Sequence, residues 1–135
     1  MSVSRSKTAK RYELDKGVEF QDMAVKSLGT QGISVGLATF APGAWLPCHI
    51  HNCEESITIL EGSAYCDVEG KRFKLAAYDT SHVPAGIPHR FVNASREEQM
   101  VMLWVYASAD VERIIQDVQR CMGSDTNPYK PANAE

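Results

Sequence analysis

The sequence predicts an all-β fold, either a barrel or a sandwich. Short apolar stretches of strand length recur between residues 33 and 106, and turns rich in glycine or proline separate them. In this region no strand pattern alternates with a helix pattern, which argues against a parallel α/β sheet. The length of 135 residues suits one domain with its own hydrophobic core.

The predicted strands follow one another closely along the chain. They cover residues 33–40, 46–51, 56–60, 63–68, 71–75, 81–83, 89–92 and 100–106. Alternation is clear in the third of them, where Ile57 and Ile59 share one face and Thr58 takes the other. Turns at 41–44, 61–62, 69–70 and 77–79 and a proline-bounded loop at 84–88 connect them. The barrel is therefore predicted to span residues 12–107.

The two ends of the chain have a different character. Residues 1–11 are polar and predict a flexible N-terminal arm. Ser108 can cap a helix, and four apolar residues follow at helical spacing, so we predict a C-terminal helix over 108–123. The four are Val111, Ile114, Ile115 and Val118. Residues 124–135 contain two prolines and no apolar pattern, which predicts a loosely held tail.

Charge and composition exclude several classes of partner. The formal net charge of -3 gives no electrostatic case for nucleic acid or an anionic membrane surface. No apolar run reaches the roughly 18 residues of a transmembrane helix, and the first residues do not resemble an export signal. We therefore predict a cytoplasmic protein that works on a small molecule.

The four cysteines match no CxxC motif for zinc or redox chemistry. They are Cys48, Cys53, Cys66 and Cys121. In a cytoplasmic protein, free thiols are the expectation. Cys48 and Cys53 flank a histidine pair, so a local disulfide or thiol chemistry remains an alternative there.

Three histidines and a glutamate have the spacing of a metal site. His49 and His51 are two residues apart in a predicted strand and so point to the same side. Glu55 follows across a turn, and His89 follows the 84–88 loop on another strand. A single histidine in a strand is usually an ordinary surface or core residue, and only the combined spacing favours a site. Such a set suits one divalent transition metal ion, Fe, Mn, Ni, Cu, Co or Zn, and leaves coordination positions open for catalysis.

The sequence resembles the cupin family in two motifs. Gly43, His49, His51, Glu55 and Gly62 match the first, G-x5-H-x-H-x3,4-E-x6-G, at every fixed position. The second, G-x5-P-x-G-x2-H-x3-N, is matched by a further four residues, with one departure at its first glycine. These are Pro84, Gly86, His89 and Asn93, and Tyr78 stands where the motif has glycine.

The resemblance implies a double-stranded β-helix, or jelly-roll, barrel with the metal inside it. It also implies a metal-dependent oxygenase, isomerase, lyase or decarboxylase acting on a small organic molecule. A metal-dependent binding or sensor protein without turnover is the alternative, and a purely structural metal is the third interpretation. A homodimer is expected because cyclic dimers are the commonest assembly.

Residues beyond the ligand set are weaker predictions. Glu55 could also carry a proton, and Tyr65 and His82 are candidate acid–base groups. Arg90 points away from His89 by strand parity, so no basic residue clearly faces the site. On the last strand Met100, Met102, Trp104 and Tyr106 share one face, and the sequence does not tell whether that face is inside.

Overall fold

The computed structural model describes residues 1–132, which form two facing antiparallel sheets. The strands are β1 (Arg11–Asp15), β2 (Val18–Ala24), β3 (Ser34–Phe40), β4 (His49–His51), β5 (Glu55–Glu61), β6 (Ala64–Val68), β7 (Lys71–Leu75), β8 (Thr80–Val83), β9 (His89–Asn93), β10 (Met100–Tyr106) and β11 (Arg113–Ile115). A 3-10 turn covers Lys26–Leu28, and one short helix, α1, covers Gln119–Met122. One sheet has the order β1-β2-β3-β10-β5-β8 and the other β11-β4-β9-β6-β7. The jelly-roll prediction is confirmed. Within the described residues no helix has the length and apolar character needed to cross a bilayer.

The core lies between the two sheets because alternate residues of each strand point inward. In β3 and β10 every second residue from Ser34 and from Met100 is more buried than its neighbours. The inward residues form one cluster with members from both sheets, among them Phe40, Ile57, Ile59, Phe91, Met102 and Trp104. A Cβ on Gly36 would lie 2.0 Å from Cζ2 of Trp104, so only glycine lets the indole cross β3 there. This contact fixes the Trp104 ring at the inner wall of the barrel.

The predicted C-terminal helix over 108–123 is wrong for most of its length. Residues Arg113–Ile115 form β11, which pairs antiparallel with β4, and only Gln119–Met122 are helical. Ile114 and Ile115, which the helical pattern would bury, are 50% and 55% exposed. Isoleucine is β-branched and favours strands, and the open edge of β4 supplies backbone partners that a helix would leave unused.

The prediction of four free thiols is also wrong. Cys48 and Cys121 form a disulfide across a sequence separation of 73 residues, while Cys53 and Cys66 are free. The bond joins the residue before β4 to α1, and Cys48, Cys121 and Met122 form a small buried cluster. Sequence spacing does not reveal a pairing of this range, because the two cysteines meet only after β11 has docked on β4. Disulfides persist in oxidising compartments, so the cytoplasmic location remains a prediction.

Both end segments make hydrogen bonds to the barrel within the described residues, and the flexible arm of residues 1–11 and the loose tail of 124–135 stay predictions. In the arm, the Ser6 carbonyl accepts a 2.7 Å hydrogen bond from the Gln21 side chain. In the tail, the Tyr129 hydroxyl donates to the Gly43 carbonyl at 2.9 Å. Polar segments with little apolar content can still dock when buried side chains bind their backbone. Residues 133–135 of the predicted tail lie outside the described residues.

A buried charge cluster holds the tail on the outer face of the second sheet. Asp67 on β6 contacts Arg72 at 2.6 and 2.7 Å and Arg90 at 3.0 Å. All three side chains are at most 3% exposed. Arg72 also donates to the carbonyls of Pro128 and Lys130. The cluster therefore links β6, β7 and β9 to the C-terminal segment.

The backbone conformation of Tyr78 explains why the cupin motif has glycine at this position. Its φ of +72° lies in the left-handed region, where glycine carries no steric penalty and a side chain does. The Tyr78 amide donates to the Ile59 carbonyl at 2.6 Å, which holds the turn before β8 in place. The side chain itself is 81% exposed. The departure from the motif thus strains one turn and leaves the metal-site residues unaffected.

Candidate metal centre

Three histidines and one glutamate converge between the sheets. His49 and His51 lie on β4, His89 lies opposite His49 in the register of β4 with β9, and Glu55 begins β5 in the facing sheet. All four side chains are buried, and one nitrogen or oxygen atom from each lies within 4.8 Å of the others. The structure therefore brings together the four residues that the sequence predicts as ligands.

A backbone carbonyl holds each imidazole from behind. The Nδ1 atoms of His49 and His89 lie 2.7 and 2.8 Å from the carbonyl oxygens of the residues two positions earlier. Nδ1 of His51 lies 2.9 Å from the carbonyl oxygen of Glu112, just before β11. A carbonyl oxygen can only accept, so Nδ1 carries the proton, and in the neutral ring Nε2 is left with its lone pair. Metal-binding histidines are oriented in this way.

The inner atoms of the cluster lack hydrogen-bond partners. Nε2 of His51, Nε2 of His89 and Oε1 of Glu55 are buried without one. His89 Nε2 and Glu55 Oε1 are only 2.7 Å apart, so these two ligand atoms face each other directly. A buried polar atom left unpaired costs about 1–3 kcal/mol. Imidazole nitrogens and a carboxylate oxygen are ligands for divalent transition metals, so these residues fit such an ion.

Burial and the glutamate set the protonation of the three rings. Burial, and to a smaller extent the neighbouring His89, lower the pKa of His49 to about 2. Burial also lowers the pKa of His51, with Glu55 opposing the shift. Burial alone would also lower the pKa of His89, but the Glu55 carboxylate outweighs burial, and the pKa of His89 is raised. These shifts favour the neutral form of His49 and His51, as metal ligands require, while Glu55 favours the protonated form of His89, with which a metal ion would compete.

The turns around β9 place His89 as the sequence predicts. Gly86 has a φ of +77°, and its amide donates to the His51 carbonyl at 3.0 Å. Asn93 is fully buried, and its side-chain amide donates to the carbonyls of Ala41 and Glu98 at 3.1 and 2.8 Å. Asn93 thus ties down the turn that it opens.

A cavity of about 220 Å³ lies next to the histidines. Its lining combines His49 and His51 with apolar and aromatic side chains from β1, β2, β10 and the C-terminal segment, and one arginine. They are Tyr12, Leu14, Phe20, Leu46, Met102, Trp104, Tyr106, Val111 and Arg113. The face of β10 that carries Met102 and Trp104 is therefore the inner one. The Trp104 and Tyr106 rings stack at 5.4 Å, and the Tyr106 ring lies 4.6 Å from that of His51.

The two predicted acid–base groups outside the ligand set lie away from this cavity. His82 is exposed on β8 and contacts Glu54 at 2.8 Å. Tyr65 lies on β6, and its ring packs against the Arg72 guanidinium at 4.5 Å. Arg90 faces Asp67 rather than the metal cluster, as strand parity predicts. Of the predicted acid–base candidates, only Glu55 belongs to the cluster.

Sequence analysis missed Arg113 and its partner Asp15. Arg113 lies on β11 opposite His51, and Asp15 ends β1. The guanidinium donates from Nη1 and Nη2 to the two carboxylate oxygens at 2.7 and 3.1 Å. The sequence signal that could have found Arg113 is the Ile114-Ile115 pair beside it, because two adjacent isoleucines suit a strand as well as a helix. A strand would have placed Arg113 next to the histidine strand.

Comparisons with known proteins agree with this geometry. The family model described as cupin domain matches residues 36–106. Auxin-binding protein 1 of Arabidopsis thaliana is 32% identical over 84 residues, which are 56% of this chain and 42% of that protein. Acireductone dioxygenase of Candida albicans is 43% identical over 63 residues, 42% of this chain and 35% of that protein. The chain spans about half the length of the auxin-binding relatives that it matches.

A solved structure resembles nearly the whole chain. The polyketide cyclase RemF from Streptomyces resistomycificus superposes with a TM-score of 0.75. The match covers 96% of this chain and 90% of that one. The sequences are 19% identical, so the likeness concerns the fold.

Proposed function

This chain belongs to the cupin family, and we propose that it is a mononuclear metal-dependent enzyme acting on a small organic molecule. His49, His51, Glu55 and His89 would hold one divalent transition metal ion, Fe, Mn, Ni, Cu, Co or Zn. The observation that carries the proposal is the convergence of four buried ligand residues, three histidines and a glutamate, with unpaired atoms on His51, His89 and Glu55. When bound, such an ion polarises an oxygen of the substrate and, as iron or copper, also supports oxidation.

The chain's own residues define what the substrate must resemble. The cavity beside the histidines has room for a molecule the size of one or two rings, since its volume is about 220 Å³. Trp104 and Tyr106 offer flat faces for stacking, and Leu46 and Met102 add apolar surface to the same cavity. Glu55, in contact with His89, is the group placed to hold or move a proton. The cavity therefore favours a flat, largely apolar substrate with an oxygen donor for the metal.

A binding protein without turnover is the second candidate. Relatives are named both as dioxygenases and as auxin-binding proteins, so the family includes both enzymes and binding proteins. The same site could hold a small ligand without changing it, because fold does not fix chemistry. The proposed enzyme class, oxygenase, isomerase, lyase or decarboxylase, rests on the open cavity beside the ligands.

The experiment that separates the two candidates measures turnover and binding in the same samples. Protein reconstituted with each candidate metal is offered small acids, diketones and flavonols, with oxygen uptake, mass spectrometry and calorimetry as readouts. Metal-dependent product that disappears in His49→Ala and persists in His82→Ala supports the enzyme. His82 is the matched control because it is an exposed histidine outside the cluster. Binding without product supports the second candidate, and neither binding nor product would refute both.

A homodimer is also part of the proposal. β11 is an edge strand whose Ile114 and Ile115 side chains are about half exposed, and such an edge favours pairing with a second copy. Sedimentation velocity over a range of concentrations measures the assembly. Ile114→Lys should shift a dimer toward monomer, and a wild-type protein that sediments as a monomer at all concentrations would refute the dimer.

A further inference from the structure

One positive charge borders the apolar cavity next to the histidines. Among the described residues that line it, Arg113 is the only arginine or lysine, and the wall around it is aromatic and aliphatic. Arg113 lies opposite His51 in the β11–β4 register, so its side chain shares that face of the sheet with a metal-ligand candidate. A molecule bound in this cavity therefore shares it with both the histidines and the guanidinium.

Asp15 fixes the guanidinium without using all of its donors. The two hydrogen bonds, at 2.7 and 3.1 Å, are donated by Nη1 and Nη2, the terminal nitrogens of the Arg113 guanidinium. They occupy two of the five N–H groups of an arginine, which leaves Nε–H and two outer N–H groups. Arg113 is 23% exposed at its side chain and Asp15 is 12% exposed, so the pair is partly shielded from water. The remaining donors are held in the geometry that a second planar carboxylate would fit.

We propose that Arg113, positioned by Asp15, selects substrates that carry a carboxylate on a flat apolar body. The carboxylate binds the free edge of the Arg113 guanidinium, and the apolar body lies against Trp104 and Tyr106. This rests on the proposed function, because it specifies the substrate class of the same site. Asp15 is a positioning residue, while Arg113 is a specificity-determining one. An uncharged amide of the same shape offers the Arg113 donors one carbonyl oxygen and no negative charge, so it forms a weaker contact than the two-oxygen carboxylate.

The test compares 2-naphthoate with 2-naphthamide, which have nearly the same shape and differ in charge. Calorimetry on the metal-loaded wild type should give a preference for the carboxylate of roughly 10- to 100-fold, as expected for charge-assisted hydrogen bonds. The variant Arg113→Gln should lose that preference. The double variant Asp15→Asn/Arg113→Gln avoids an unpaired aspartate and should lose it as well. Unchanged metal content in both variants verifies that the fold and the histidine cluster are intact.

A bound metal could attract a carboxylate by itself, so the same comparison is repeated in metal-free protein. A preference that persists there and depends on Arg113 supports the inference. Equal binding of the two probes by wild type, or a preference that survives in the metal-free double variant, would overturn it. Either result can be obtained with protein that binds its metal normally, so the inference can fail while the metal-site assignment holds. Loss of metal binding in wild type, in contrast, would refute the proposed function.

Discussion

Removing the Cys48–Cys121 disulfide should destabilise the protein by an amount set mainly by its loop. The bond closes a sequence separation of 73 residues, and the chain-entropy relation gives about 4 kcal/mol at 25 °C for a loop of that length. Both cysteines are at most 2% exposed, so replacing them with alanine also removes buried sulfur atoms. The expected loss for Cys48→Ala/Cys121→Ala is therefore about 4 kcal/mol of unfolding free energy.

Urea unfolding of the metal-free protein, with and without a reducing agent, measures this loss. Wild type should lose most of that stability on reduction, while the double variant should be insensitive to the reducing agent. Cys53→Ser, at the partly exposed free thiol, is the control and should behave as wild type does. Thiol titration of unreduced, denatured wild type should find the two free cysteines, Cys53 and Cys66. Four free thiols, or a reduced wild type as stable as the oxidised one, would refute the reasoning.

Two further predictions concern strain and buried charge. Tyr78→Gly should be more stable than Tyr78→Ala by about 1 kcal/mol, because glycine alone relieves the left-handed backbone there; the opposite order in urea unfolding would contradict the strained turn. Asp67→Asn should lower the unfolding free energy by about 3–5 kcal/mol, because it removes the buried carboxylate that Arg72 and Arg90 share. The control Glu19→Gln, at an exposed ion pair, should change the unfolding free energy by less than about 1 kcal/mol. Equal effects of Asp67→Asn and Glu19→Gln in thermal and urea unfolding would contradict a stabilising role for the buried cluster.

The metal cluster could be predicted because its information is local. His49 and His51 need only strand alternation to face the same side, and the motif spacing identifies Glu55 and His89 as the remaining ligands. The burial of all four and the hydrogen bond from His51 to the Glu112 carbonyl could not be predicted, since they depend on how distant strands dock.

The C-terminal segment could not be predicted because its local signals conflict. The spacing of apolar residues from Val111 to Val118 fits a helix, yet the β-branched Ile114 and Ile115 pair with the free edge of β4. The error hid the position of Arg113 beside His51. It also hid the disulfide between Cys48 and Cys121, whose sulfurs come together where this segment packs beside β4. Tertiary contacts across more than 60 residues decided the structure of this segment.

Metal content by elemental analysis, on protein purified without a metal-affinity tag, tests the central claim most directly. Wild type and His82→Ala should each hold about one transition metal ion per chain after reconstitution, and His49→Ala should hold close to none. Circular dichroism of the three proteins verifies that they are folded. Metal retained by His49→Ala at the wild-type level, or no metal bound by wild type even after reconstitution, would contradict the assignment of His49, His51, Glu55 and His89 as the metal site.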